Sequence, residues 1–263
     1  MTVSLPSSTA PTYFLTFPLT DHHRRLTSSI AAKTPPAFSY CGDHLYDYKI
    51  VYIQGTYGSL ANMDIDCDGA QHGTADDGRC GSSNDTQSQT TFKDTVASYG
   101  HGITDLNAFV HPYVVFGNQG STKGWKTFDP EQFGIKPLSV MAVVCGDRLV
   151  YGVWGDTNGD DGQYPMVGEA SISLATACFG NRVNGNAGYD DHDVLYIAFV
   201  GDDAVPGQKG ANWSAKDHAA FEKSIEERGD MLIERISGAG SDAFVGVWLR
   251  YVMPLCVALM LAL

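Results

Sequence analysis

The chain has 263 residues, of which 43% are hydrophobic and 18% charged, and this composition fits a globular protein with a core and excludes an intrinsically disordered chain. The formal net charge of −13 argues against a nucleic-acid partner, because phosphate binding requires a basic face. An acidic surface instead attracts a polycation.

Residues 1–37 contain Pro, Ser and Thr without a regular pattern, and we expect them to form a disordered or atypical N-terminal segment. A secretion signal would combine a positively charged start with a longer apolar run, and neither is visible here. We expect one folded domain over residues 38–236.

Strand-forming residues recur along this domain, in segments that are mostly bounded by Gly, Asn or Asp. The chain contains 29 glycines, and such dense turns favour a β-rich fold. Gly146 and Asp147 separate two of the segments and predict a hairpin. The predicted strands are 50–54, 112–116, 139–145, 149–154 and 194–200.

Two further segments predict helices. Residues 90–99 form a short one, and residues 214–236 form a longer C-terminal helix with Ser214 as its N-cap. Apolar residues recur along the longer segment at helical spacing and would share one face. These residues are Phe221, Ile225, Leu232 and Ile236.

Residues 237–263 combine a small-residue linker with an apolar tail over 244–263, which approaches the length of a bilayer span. Arg250 and Pro254 interrupt the tail. Two interpretations stay open. The linker resembles a lipid-anchor attachment region, which would give membrane association and surface anchoring through the tail. The alternative is an amphipathic or disordered extension.

The six cysteines include no CxxC pair, which argues against a zinc site and against thioredoxin-like redox chemistry. Five of them lie within the domain, and oxidising conditions could pair four of these five. Their spacing leaves the disulfide connectivity open.

An acidic loop follows the predicted strand 149–154, and residues 155–171 read GDTNGDDGQYPMVGEAS. Asp156, Asn158 and Asp160 alternate like the first three ligands of a calcium-binding EF-hand loop. The loop then departs from that pattern. Its sixth position is Asp161 instead of Gly, and its twelfth is Val167 instead of Glu.

Asp156 and Glu169 also suit glycoside hydrolysis, which uses a carboxylic acid and a carboxylate on the two sides of the scissile bond. Asp156 would lie just past the strand end, among Gly, Thr and Asn, and would stay ionised as a base. Glu169 has an apolar flank that favours its protonated form, as a general acid requires. The flank consists of Met166, Val167 and Ala170.

A second acidic run, DIDCDG at residues 64–69, matches the opening of a calcium loop with Gly at the sixth position. Its twelfth position is Ala75, so the glutamate ligand is missing. Alternation along a strand would instead place Asp64, Asp66 and Asp68 on one face. A row of carboxylates there could bind cationic amines, or could serve only to keep a strand edge from aggregating.

Several segments, taken in order, resemble the fungal chitosanases of glycoside hydrolase family 75, and the resemblance covers residues 38–236. The segments are FSYCGDHL, IVYIQG, LANMDIDCDG, HPYVVFGN, PLSVMAVVCG, VYGVWGDTNGDDG, VGEASISLA and DVLYIAFVGDDAVPG. The resemblance implies a secreted endo-hydrolase that cleaves the β-1,4 linkages of chitosan with inversion and needs no cofactor or metal. We also expect a monomer.

The resemblance places an essential Asp and an essential Glu in the central segment. Glu169 of VGEAS matches the family glutamate and is the expected general acid, and the base is Asp156 or its close competitor Asp160. Chitosan is a polycation in mildly acidic water, and an acidic groove would steer and bind it. The expected amine contacts are Asp64, Asp66 and Asp160.

The expected fold is mainly β, of the α+β type, as a single β-barrel domain with a few peripheral helices and a C-terminal helix. The carboxylate-bearing strand and loop are similar to those of six-stranded double-psi barrels that carry other inverting hydrolases. Two rival functions stay open. One is a calcium-dependent carbohydrate-binding or adhesion module without catalysis, and the other is a hydrolase of neutral β-glucans.

Overall fold

The computed structural model describes residues 25–29, 38–55, 59–81, 83, 86–123, 127–159 and 167–238. The strands are β1 (Arg25–Ser29), β2 (Phe38–Cys41), β3 (Ile50–Gly55), β4 (Ala61–Asp66), β5 (Tyr113–Asn118), β6 (Val140–Cys145), β7 (Arg148–Asn158), β8 (Glu169–Ser171) and β9 (Tyr189–Phe199). The helices are α1 (Lys93–Ser98), α2 (Ile172–Phe179) and α3 (His218–Gly238). Short 3-10 turns occupy Pro130–Phe133, Gly180–Arg182 and Asp202–Ala204.

Within these described ranges, nine strands form one mixed sheet in the order β1-β2-β3-β9-β4-β8-β5-β7-β6. β9 also pairs with β6, so the pairings of β9, β4, β8, β5, β7 and β6 form a closed circuit. The fold is therefore mostly β with a few helices, as the sequence predicts. β1 was not anticipated, because it lies in the segment 1–37 for which the sequence indicates no regular structure.

The predicted strands are all present, as β3, β5, β6, β7 and β9. β6 and β7 form the predicted hairpin, in which Cys145 pairs with Arg148 across the turn. β7 differs from the prediction at its end, because it continues to Asn158 while pairing with β5. Asp156 therefore lies inside a strand and not in the loop that follows it.

Helix α3 packs its predicted apolar face on the sheet, where Phe221, Ile225 and Leu232 are buried. The predicted N-cap is wrong. The hydroxyl of Ser214 donates to the carbonyl of His101 instead, at 2.8 Å. Asp217 takes the capping role, because its Oδ1 accepts from the backbone N–H of Ala220 at 2.8 Å.

Gly229 in α3 allows the helix to approach β7 closely. A Cβ at this position would lie 2.5 Å from Cδ1 and Cε1 of Tyr151. Alanine usually stabilises a helix by about 1 kcal/mol over glycine. Here we expect Gly229→Ala to lower the free energy of unfolding by about 1–3 kcal/mol, because overpacking a buried contact outweighs helix propensity.

Urea denaturation measures this difference, with Glu227→Ala as the control, because Glu227 is exposed in the same part of α3. The control should unfold close to wild type. A Gly229→Ala variant as stable as wild type would show that Tyr151 can move aside at little cost.

Two disulfides cross-link the domain. One links Cys67 to Cys80, and the other links Cys145 at the end of β6 to Cys178 in α2. Cys41 is buried and belongs to neither disulfide. No helix in the described ranges is long and apolar enough to span a bilayer. The predicted tail at 244–263 lies outside those ranges.

Candidate active site

A cleft of about 340 Å³ opens over the sheet where β4, β8, β5 and β7 lie side by side. The side chains that line it are acidic or neutral. The lining residues are Asp66, Asp68, Gln87, Gln89, Thr90, Thr91, Val115, Asp156, Thr157, Asn158, Gly159 and Glu169. The cleft is therefore suited to a polar or cationic ligand.

Val115 in the middle of the cleft is the pairing partner of two carboxylates. It pairs with Asp156 of β7 in the parallel ladder and with Glu169 of β8 in the antiparallel ladder. Directly paired residues project to the same face of a sheet. Two strand spacings, about 9.5 Å in a regular sheet, thus separate the backbones of Asp156 and Glu169, and the β5–β7 ladder shifts register on both sides of the Val115–Asp156 pair. Both side chains line the same cleft on either side of Val115.

Asp156 is only 6% exposed. Its Oδ1 accepts hydrogen bonds from the backbone N–H of Thr91 at 2.9 Å, the hydroxyl of Thr91 at 2.6 Å and the backbone N–H of Thr157 at 2.7 Å. Burial raises the pKa of Asp156 to about 6, although these hydrogen bonds lower it, and the charge of Asp105 raises it further. The predicted position of Asp156 past the strand end is wrong, because Asp156 lies within β7 and is buried against the segment around Thr91, whereas its surroundings are polar as predicted.

Glu169 is the first residue of β8 and is 9% exposed. The side-chain amide of Asn158 donates to its Oε2 at 3.2 Å. Val167 and Ala170, two members of its predicted apolar flank, are buried, and Met166 lies outside the described residues. Glu169 therefore faces the cleft from a largely buried position.

Asp66 and Asp68 form the floor of the cleft beside Glu169. Oδ1 of Asp66 accepts from the backbone N–H of Asp68 at 2.7 Å, and Oδ1 of Asp68 accepts from the backbone N–H of Gln87. Burial raises the pKa of Asp66 well above its usual value, and the nearby charges of Glu169, Asp68 and Asp156 raise it further. Cys67 fixes this floor through its disulfide with Cys80.

Three of these carboxylates could approach a single cation. Asp66, Asp68 and Asp156 each offer one oxygen, and the three oxygens lie within 4.8 Å of one another. Clusters of this kind are also common without an ion, and the carboxylates already accept hydrogen bonds from backbone N–H groups. The cluster alone therefore does not indicate a metal site.

Comparison with known proteins identifies the protein family of the chain that forms this site. Residues 63–235 match the family described as fungal chitosanase of glycosyl hydrolase group 75. The chain belongs to this family. It is therefore a glycoside hydrolase, and the resemblance stated from its sequence is confirmed.

Three proteins from species of Aspergillus illustrate the sequence similarity of this chain to other members of family 75. An endo-chitosanase of Aspergillus oryzae is 46% identical over 198 residues, which are 75% of this chain and 76% of the relative. An endo-chitosanase of Aspergillus fumigatus is 45% identical over 222 residues, or 81% of this chain and 86% of the relative. Endo-chitosanase C of Aspergillus oryzae is 32% identical over 175 residues, or 66% of this chain and 38% of the relative.

The structure brings together three of the predicted site residues of the family 75 chain, namely Asp66, Asp156 and Glu169. Asp64 is the pairing partner of Glu169 on β4, outside the lining of the cleft. Burial raises the pKa of Asp64, the amide of Asn62 lowers it, and the charge of Asp190 raises it. Asp160 lies outside the described residues.

Sequence reasoning missed Thr91 and Asn158 as partners of the two carboxylates. Asn158 stands two positions after Asp156 in the acidic loop, but the sequence suggested only a calcium ligand for it. Thr91 is 65 residues from Asp156 in sequence, and no motif connects them.

Proposed function

We propose that this family 75 glycoside hydrolase is an endo-chitosanase that cleaves β-1,4 linkages between glucosamine units with inversion of configuration. The placement of Asp156 and Glu169 on either side of Val115 carries the proposal. Inverting glycosidases hold their two carboxyl groups roughly 6.5–9.5 Å apart to leave room for a water. A backbone separation of two strand spacings, about 9.5 Å, leaves room for such a gap between two side chains that line the same cleft.

In this mechanism Glu169 is the general acid, which protonates the leaving glycosidic oxygen. Glu169 is only 9% exposed and lines the cleft beside Asp66, which places its carboxyl group within reach of a bound polysaccharide. Asn158 orients the carboxyl group through its contact with Oε2. The leaving sugar then departs on the side of the cleft formed by β8 and β4.

Asp156 is the general base, which removes a proton from the attacking water. Its Oδ1 already accepts three hydrogen bonds, so Oδ2 is the oxygen that receives the proton. The reaction requires the ionised form of Asp156, and its pKa of about 6 predicts that activity rises as the pH increases through this value. Asp160 stays the competing candidate for the base.

The charge of the protein supports a cationic polysaccharide as substrate. The net charge is −13, and the cleft is lined by acidic and neutral side chains. Protonated glucosamine units would be attracted by this field. We propose Asp66 in the cleft as a substrate contact, together with Asp160 and with Asp64, which pairs with Glu169 next to the cleft lining. Because burial favours the neutral form of Asp66, its contact would be a hydrogen bond to a hydroxyl or amine more than an ion pair.

We further propose that the closed circuit of six strands is a β-barrel of the double-psi kind, since each of those strands has a pairing partner on both of its edges. The two disulfides support a secreted protein that folds in an oxidising compartment. A monomer and a surface-anchored form through residues 244–263 remain proposals from the sequence.

Release of reducing ends from chitosan tests the proposed function, with a soluble neutral β-glucan as the parallel substrate. We expect activity on chitosan alone, reduced at high salt because screening weakens the electrostatic attraction. The assay is repeated with a chelator. Activity and melting temperature that do not change with the chelator would argue against the calcium-dependent binding module. Activity on β-glucan that persists at high salt would show that the substrate is a neutral polysaccharide and not chitosan.

A further inference from the structure

Thr91 lies exposed at the mouth of the cleft and contacts Asp156 twice. Its backbone N–H donates to Oδ1 at 2.9 Å and its hydroxyl donates to the same oxygen at 2.6 Å. We propose that Thr91 is a positioning residue that fixes the orientation of the Asp156 carboxylate for proton abstraction from water. This inference rests on the proposed function, in which Asp156 is the base.

Thr91 is held in place independently of Asp156. Its neighbour Thr90 is buried and donates to Asp105 through the backbone N–H at 2.9 Å and through the hydroxyl at 2.6 Å. Asp105 is 3% exposed and also accepts from the backbone N–H of Leu106 at 2.7 Å. Asp68 binds the same segment at Gln87. The donors at Thr91 are thus arranged before substrate arrives, which is the condition for efficient positioning.

The two donors of Thr91 determine which oxygen of Asp156 is available. Together with the backbone N–H of Thr157 they occupy Oδ1, so rotation of the carboxylate would break three hydrogen bonds. Oδ2 is therefore the oxygen that we propose receives the proton of the attacking water. A hydroxyl donor also stabilises the ionised carboxylate, so its removal should raise the pKa of Asp156 above its present value of about 6.

Thr91→Val and Thr91→Ser separate the hydroxyl from the rest of the side chain, because both variants keep the backbone N–H. We expect Thr91→Val to lower kcat about 10- to 100-fold on chitosan, as misplaced catalytic groups do. KM should stay close to wild type, and the acidic limb of the pH profile of kcat should move to higher pH. Thr91→Ser should restore most of kcat and the wild-type pH profile.

Ser88→Ala is the matched control, because Ser88 is exposed in the same segment and does not line the cleft. Thr91→Ala removes the hydroxyl without a branched side chain and provides a second variant if valine perturbs folding, which a melting curve would reveal. A raised KM with unchanged kcat would overturn the inference and make Thr91 a substrate contact. A serine variant as slow as the valine variant would also overturn it.

Asp156→Asn and Glu169→Gln belong in the same assay, because they separate this inference from the proposed function. If both are inactive while Thr91→Val behaves as wild type, only the positioning role is wrong. If Asp156→Asn keeps its activity, the base assignment is wrong and the role of Thr91 falls with it.

Discussion

Glu169→Gln should lower kcat about 10²- to 10⁴-fold on chitosan, because an amide of the same size cannot protonate the leaving oxygen. The variant should fold normally, since glutamine can keep the contact with the side chain of Asn158. Reducing-end assays give the rate, and a melting curve shows whether the fold is retained. Activity above a few per cent of wild type would contradict the assignment of Glu169 as the acid.

Glu131→Gln is the control for this experiment, because Glu131 is exposed and does not line the cleft. Its activity should equal that of wild type. Proton NMR of the first products of the wild-type enzyme adds an independent check of the stereochemistry. Inversion of a β-linkage gives the α-anomer before mutarotation, and an initial β-anomer would contradict the proposed role of Asp156 as a base for water.

Asp156→Asn should make the protein more stable at neutral pH while removing its activity. The pKa of Asp156 is raised from 3.8 to about 6 in the folded protein. Below about pH 3.8 Asp156 is protonated in both the folded and the unfolded chain, and the full stability is present. As the pH rises from there to about 6, the unfolded chain releases this proton more readily than the folded protein, so the free energy of unfolding falls. Above that value the ionised, buried carboxylate lowers the free energy of unfolding of wild type relative to a neutral amide.

Urea denaturation at pH 4 and at pH 7.5 measures this effect. At about 1.4 kcal/mol per pH unit, the raised pKa sets an upper value of about 3 kcal/mol for the gain at pH 7.5, and we expect about 1–3 kcal/mol. Little difference should remain at pH 4. Glu131→Gln makes the same chemical change at an exposed position and should show no such gain. An Asp156→Asn variant less stable than wild type at pH 7.5 would contradict the expectation.

Such a gain would mean that the ionised, buried Asp156 lowers the free energy of unfolding of the wild-type protein, as is common where function requires a buried charge. The Cys145–Cys178 disulfide and the buried apolar face of α3 are features of the domain that can offset such a cost.

The β6–β7 hairpin could be predicted because its signals are local. Two runs of strand-forming residues flank Gly146 and Asp147, and the pairing of Cys145 with Arg148 follows from the turn. Helix α2 was missed because it is short and begins directly after β8, where the hydroxyl of Ser171 accepts from the backbone N–H of Leu174 at 3.3 Å. A three-residue strand followed by a short helix leaves no clear periodicity.

The identities of the acidic residues at the site could be predicted, but their surroundings could not. Family resemblance pointed to Glu169 and Asp156, and alternation in the run 64–69 pointed to Asp66. The burial of Asp156 depends on a segment 65 residues away in sequence, and the hydrogen bonds from Thr91 exist only in the folded chain. Burial and distant donors determine the pKa of a carboxyl group, and local sequence contains neither.

The pairing of Val115 with both Asp156 and Glu169 means that the backbone of the sheet sets the spacing between these two residues. Substitution of Val115 or its neighbours would leave the spacing between the strands of Asp156 and Glu169 unchanged, because backbone hydrogen bonds set that spacing. Substitutions in the walls of the cleft could therefore change which ligands it binds while the backbone positions of Asp156 and Glu169 stay the same.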